Sequence, residues 1–328
     1  MSKKEIPDLP PPPDFSKTIA LLLDLNQPFP PKELYQFSDL SPKDAGALEA
    51  AWTEIPVERR RSLMQDLAEI AEANYEVNFA AVFRLGLTDA DVEVRAGAIS
   101  GLWEEEDPEL IAPFIEFLNT DPDATVRAAA ATALGRYVYL GEIAEVPEEY
   151  LRRIESALLA VFTTKKDVLD VRRRALEAIA YSNRDEVPRL IEAAYASSES
   201  KYRISAVFAM GRSTDKRWTA RVLAELENGT PEMRFEAARA AGELELSEAV
   251  PNLSKLAEDG DQQVREAAIW SLGQIGGPEA RAALQKLLAA AAEDDKEFIE
   301  DAVENLVFNE GLQDFALLAL DEDDEADK

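Results

Sequence analysis

The sequence predicts an all-α fold, a right-handed α-solenoid of about eight stacked helical hairpins, on three observations. Alanine, leucine and glutamate dominate, and only 14 glycines are spread over 328 residues, with no runs of β-branched residues to feed a sheet. One phrase recurs: an apolar residue, arginine, two variable positions, alanine, two more variable positions, then a small residue, usually an apolar one, and usually glycine. Within each phrase the apolar and alanine positions fall at i, i+4, i+7 and i+8, which is one stripe of a helix.

The phrase runs from Val94-Arg95 to Leu102, Val126-Arg127 to Gly135, Val171-Arg172 to Ala180, Tyr202-Arg203 to Gly211, Met233-Arg234 to Gly242, and Val264-Arg265 to Gly273. Its arginines are separated by 32, 45, 31, 31 and 31 residues, a period that chance composition does not give. Asp91, Asp123 and Asp261 stand three positions before the apolar residue, with Thr230 in the same place, and each can cap a helix start. The closing glycine supplies a stop, and small residues let a neighbouring helix approach. A second helix follows each phrase, as at Glu186-Val187-Pro188 and Glu248-Ala249-Val250-Pro251, where proline suits the first turn. One such hairpin cannot bury both its apolar stripes alone, so the units must stack.

The 45-residue spacing marks an insertion, and Arg136 through Glu149 reads as an extended connection inside the third regular unit. Towards the N-terminus, Val57–Ala73 and Tyr75–Leu87 make a less regular capping hairpin, preceded by a helix from Pro42 to Trp52 capped by Ser41. Towards the C-terminus, Phe298-Ile299 to Leu306 keeps the apolar rhythm without the arginine, as a terminal unit should. The expected organisation is a proline-rich, partly disordered leader over residues 1–40, a solenoid over 41–320 and an acidic tail over 321–328.

Cysteine and histidine are both absent, which removes disulfides, thiolate nucleophiles, imidazole bases and most zinc and iron sites. No catalytic residue, cofactor or metal is therefore expected, and the chain is read as a non-enzyme. The net charge of −30 repels phosphate backbones and anionic lipid, so nucleic acid and membrane are poor partners. The apolar run Ile19 to Leu23 is too short for a membrane span, and the chain is read as cytoplasmic and monomeric.

Aligned, these phrases resemble the HEAT repeats first noted in phycobilin lyases, from about Val57 to Leu306. Ala209-Met210-Gly211-Arg212-Ser213, Lys216-Arg217-Trp218 and Ala240-Ala241-Gly242-Glu243-Leu244 also resemble a bacterial family of HEAT-repeat proteins, a likeness that fixes fold and not role. The resemblance implies that Arg95, Arg127, Arg172, Arg203, Arg234 and Arg265 form a structural ladder, bonding acidic or carbonyl groups of adjacent repeats. Deoxyhypusine hydroxylase shares the repeat but binds iron through histidine–glutamate pairs that have no match here. Alkylpurine glycosylases of related architecture use a basic groove, against the sign of this chain.

Charge is distributed unevenly. From Glu293 to Lys328 there are 15 acids and 2 lysines, whereas from Arg152 to Arg221 there are 15 basic residues and 9 acids. Arg136, Arg184, Arg212, Lys216 and Arg217 follow the phrase helix of their units, so stacking brings them to one basic edge, with Tyr181 and Trp218 as aromatic anchors. The expected function is a protein-binding scaffold or adaptor, using the face lined by the second helices or this basic edge. The edge would seek an acidic segment of another protein. The alternative is a non-catalytic or regulatory subunit of an enzyme such as a bilin-lyase-like complex, and a nucleic-acid binder comes last.

Overall fold

A computed structural model describes residues 14–163, 167–291, 296–309 and 311, and every regular element among them is helical. The chain divides into two compact units, Met1–Ala133 and Leu134–Lys328.

The first unit opens with α1 (Phe15–Leu23), capped by the Asp14 carboxylate on the amide of Ser16, and α2 (Pro31–Leu34) with a short turn of tighter helix over Tyr35–Phe37. These lie inside the stretch expected to be leader, and that expectation is corrected over residues 15–37. Phe15, Leu22, Leu34 and Phe37 are buried, and the Phe15 ring meets Phe37 edge-on at 5.5 Å. The proline run Pro7–Pro13 and the acidic tail lie outside the described residues. Then come α3 (Pro42–Ala51), capped by Ser41 as expected, α4 (Val57–Ala73), α5 (Ala80–Gly86), α6 (Val92–Gly101), α7 (Ile111–Thr120) and α8 (Ala124–Glu142), inside which the two units meet in sequence.

The second unit continues with α9 (Glu148–Thr163), α10 (Leu169–Ile179), α11 (Val187–Tyr195), α12 (Ser200–Arg212) and α13 (Thr219–Glu225). It ends with α14 (Pro231–Glu243), α15 (Val250–Leu256), α16 (Gln262–Ile275), α17 (Gly277–Ala290) and α18 (residues 296–309). Residues 136–149 are not an extended connection. Tyr137, Val138 and Leu140 prolong the buried stripe of α8, and α9 begins soon after a tight turn in which the amide of Glu145 donates to the carbonyl of Leu140 at 2.8 Å. The insertion therefore lengthens a helix instead of interrupting one.

Within the second unit the phrase helices α10, α12, α14 and α16 pack side by side in a row. Each of α11, α13 and α15 packs chiefly against the phrase helix that follows it, so the phrase is the second helix of its hairpin, not the first. The fold is an α-solenoid.

The row is tight because of glycine inside the helices. A Cβ on Gly135 would lie 3.0 Å from Cα of Ala178, on Gly211 2.8 Å from Cα of Ala240, on Gly242 2.9 Å from Cα of Ser271, and on Gly273 2.8 Å from the carbonyl of Ala302. These glycines permit close approach and do not act as stops. The chain turns later, with left-handed backbone at Thr214 (φ 51°), Glu245 (φ 48°) and Gly276 (φ 64°). Asp91 and Asp261 cap their helices through side-chain acceptance of backbone amides, and Asp123 accepts the amide of Thr125. Thr230 makes no such bond, since its hydroxyl turns to Asn228 and Pro231 starts the helix.

Candidate functional site

The phrase arginines lie where each hairpin's loop meets the next. Arg95 donates to the carbonyls of Asp89 and Ala90 in its own loop, both at 2.9 Å, and to both carboxylate oxygens of Asp121 in the next loop, at 3.0 and 3.1 Å. Arg127 in turn donates to the carbonyl of Asp121 at 2.9 Å. The same rung recurs where Arg234 takes the carbonyl of Asn228 and both oxygens of Asp259, and Arg265 takes the carbonyl of Asp259. The Arg234 guanidinium holds the Asp259 carboxyl below its ordinary range. Arg203 pairs with Glu225 at 3.2 Å, while Arg172 lies over the ring of Tyr202. The sequence reading missed one rung, the pair of Arg60 with buried Asp89 at 2.8 Å. Its signal was an acid or amide six positions before the following arginine, as at Asp89, Asp121, Asn228 and Asp259.

The residues assigned to a basic edge are placed differently from one another. Trp218 is 1% exposed, so it packs in the interior and cannot anchor a partner. Arg184 pairs with Glu186 at 2.9 Å and lies 3.7 Å from Glu155. Lys216 donates to the carbonyl of Leu244, and Arg217 pairs with Asp215. Arg136 is exposed on α8 and has bonding partners in the chain. Most of the positive charge that marked this edge is thus matched locally by acids and carbonyls.

Arg212 and Tyr181 belong to a different surface, the outward side of the phrase row. Arg212 lies over the rings of Phe208 and Tyr181 at 5.2 and 5.6 Å, and Tyr181 meets Tyr139 edge-on at 5.5 Å. One repeat along, Arg239 lies over Phe235 and Trp270 at 6.0 and 5.5 Å. Both arginines reach Glu243, at 3.3 and 3.5 Å. At the other end Glu177 pairs with Arg174 at 2.5 Å and accepts the Ser205 hydroxyl, which itself accepts from Arg173 at 3.0 Å. Glu236 lies between these groups. Its Oε2 is sealed from solvent without a hydrogen-bond partner, and burial pushes its carboxyl up to about 7. Burial also raises Glu243 and Tyr181. Apart from Tyr139, these side chains recur at one, two, five and nine positions after the phrase arginine, a register visible in the sequence once the row is known.

A family model described as HEAT repeats matches residues 80–149 and 219–306. This is a HEAT-repeat protein. The stretch between the matches carries the same phrase at Arg172 and Arg203, and its helices join the same row, so the HEAT-repeat pattern is continuous through the second unit. Solved structures of similar fold include the CpcE–CpcF complex of phycocyanin lyase from Nostoc sp. PCC7120, at 18% identity over 69% of this chain and 94% of that one, with a TM-score of 0.45. Human deoxyhypusine hydroxylase is 20% identical over 90% and 96% with a TM-score of 0.37, and yeast importin-beta 14% over 90% and 46% with 0.45. No curated protein matches the chain. Among the described residues of this HEAT-repeat protein no helix is long and apolar enough to cross a membrane.

Proposed function

We propose that this HEAT-repeat protein is a protein-binding scaffold that takes its partner along the outward side of the phrase row in the second unit. The observation that carries this reading is the alternation of arginine and half-exposed aromatic rings across α10, α12, α14 and α16. Arginine and aromatic residues supply most of the energy at protein interfaces. Here the guanidinium planes are already stacked and paired, so less side-chain freedom is lost on docking. A stack of like repeats offers a partner several such contacts in one line.

The test is capture of partners from the native cell by the full chain, compared with a Phe208→Ala/Trp270→Ala variant whose helix content is checked by circular dichroism. The expected outcome is at least a roughly tenfold weaker capture, since two ring anchors are lost. A matched variant on the flanking helices, Arg189→Ala/Arg221→Ala, should capture as well as the parent. Equal losses in both variants would place binding elsewhere.

A further inference from the structure

We infer that the partner presents a basic segment, with a lysine or arginine side chain seated beside Glu236. This deepens the scaffold reading and rests on it. Three carboxylates line the row, and two of them are matched within the chain: Glu177 by Arg173, Arg174 and Ser205, and Glu243 by Arg212 and Arg239. Glu236 alone among the three has a sealed oxygen with no donor.

The charged groups that act on Glu236 are Arg239, Glu177, Glu243 and Arg212, and none of them bonds its sealed oxygen. On its own helix α14, Arg239 and Glu243 bond each other. From α12 comes Arg212, paired with Glu243 through one terminal nitrogen while its sealed Nε has no acceptor, and from α10 comes Glu177 with its two arginines. On α16, Trp270 covers Arg239, and the one acid, Glu266, is held by Gln262. None of these supplies the missing donor. A buried carboxylate without a partner is costly, and the group meets that cost by holding a proton near neutral pH.

A cation from outside would take the place of that proton. The residue as a whole keeps partial exposure, so it is within reach of a side chain that docks on the row. The neighbouring Phe235 and Trp270 rings already hold one guanidinium, and their faces favour a second cation. Over longer range, the chain's charge of −30 attracts a basic segment and repels an acidic one.

The experiment is titration calorimetry of the full chain with a short synthetic Arg/Lys peptide and with its Glu counterpart, in near-physiological salt. A carboxylate titrating near 7 is about 10% ionised at pH 6 and about 90% at pH 8, so the basic peptide should bind roughly tenfold tighter at pH 8, and binding at pH 6 should release a proton. Glu236→Gln should lose about that factor at pH 8 and bind independently of pH. Glu76→Gln, at an exposed acid of the first unit, should behave as the parent. The inference falls if Glu236→Gln keeps the parent's affinity and slope, if only the acidic peptide binds, or if neither binds saturably. In the last case, native capture that still depends on Phe208 and Trp270 would leave the scaffold reading standing.

Discussion

At Asp259 a single residue joins two repeats. Both carboxylate oxygens receive Arg234, one of them also receives the amide of Asp261, and the carbonyl receives Arg265. Arg234→Ala leaves a half-buried carboxylate without its partner, and should cost about 1 to 3 kcal/mol, read as a lower melting temperature. Glu236 acts in the opposite direction. Its folded-state value is raised from 4.5 to about 7, so the unfolded chain loses its proton first and stability falls as pH rises between those values. Glu236→Gln should therefore raise the melting temperature at pH 8, by at most about 3 kcal/mol of stability, and leave it unchanged near pH 4. The six phrase arginines were legible because their period is regular. Arg60 was not, because Glu58-Arg59-Arg60-Arg61 breaks the apolar–arginine pairing that defines the phrase. Glu236 was invisible for another reason: a lone glutamate on a helix looks solvated until its neighbouring helices are placed.

Helices were legible as elements, but their pairing was not. Both loops of each repeat are short, so the sequence alone allows the phrase to open or close its hairpin. The structure decides it, because Arg95, Arg127, Arg234 and Arg265 bond the carbonyls of the loop just before their own helix. That shift moves the candidate surface from the flanking helices to the phrase row. The long α8 was misread because glycine and tyrosine at 135–141 suggest irregular chain, whereas Gly141 serves contact with Leu151. Small residues set the helix spacing. Gly242→Ala would bring a methyl within 2.7 Å of the Ser271 hydroxyl, which donates to the carbonyls of Ala238 and Ala267. The expected cost is about 1 to 3 kcal/mol in chemical denaturation, with helix content unchanged before the transition.

For the whole molecule, sequence period and composition were enough to give an α-solenoid, since among the described residues helices pack chiefly against near neighbours in the chain. Charge is the other property at this scale. With a net −30 the folded chain repels itself, so raising salt from about 20 to about 300 mM should raise the melting temperature as the repulsion is screened. The ladder pairs, only 11% exposed at Arg95 and 5% at Asp121, should be screened far less. A melting temperature that falls with salt would show that exposed ion pairs outweigh the repulsion. The glycines of the row carry a consequence for how such a chain can grow. Gly211 meets Ala240, and Gly242 meets Ser271, so one small residue always faces another across each junction. An in-register duplication of one repeat would set Gly242 against a copied Ala240 and create no clash, whereas a bulky residue at either place would block lengthening at that joint.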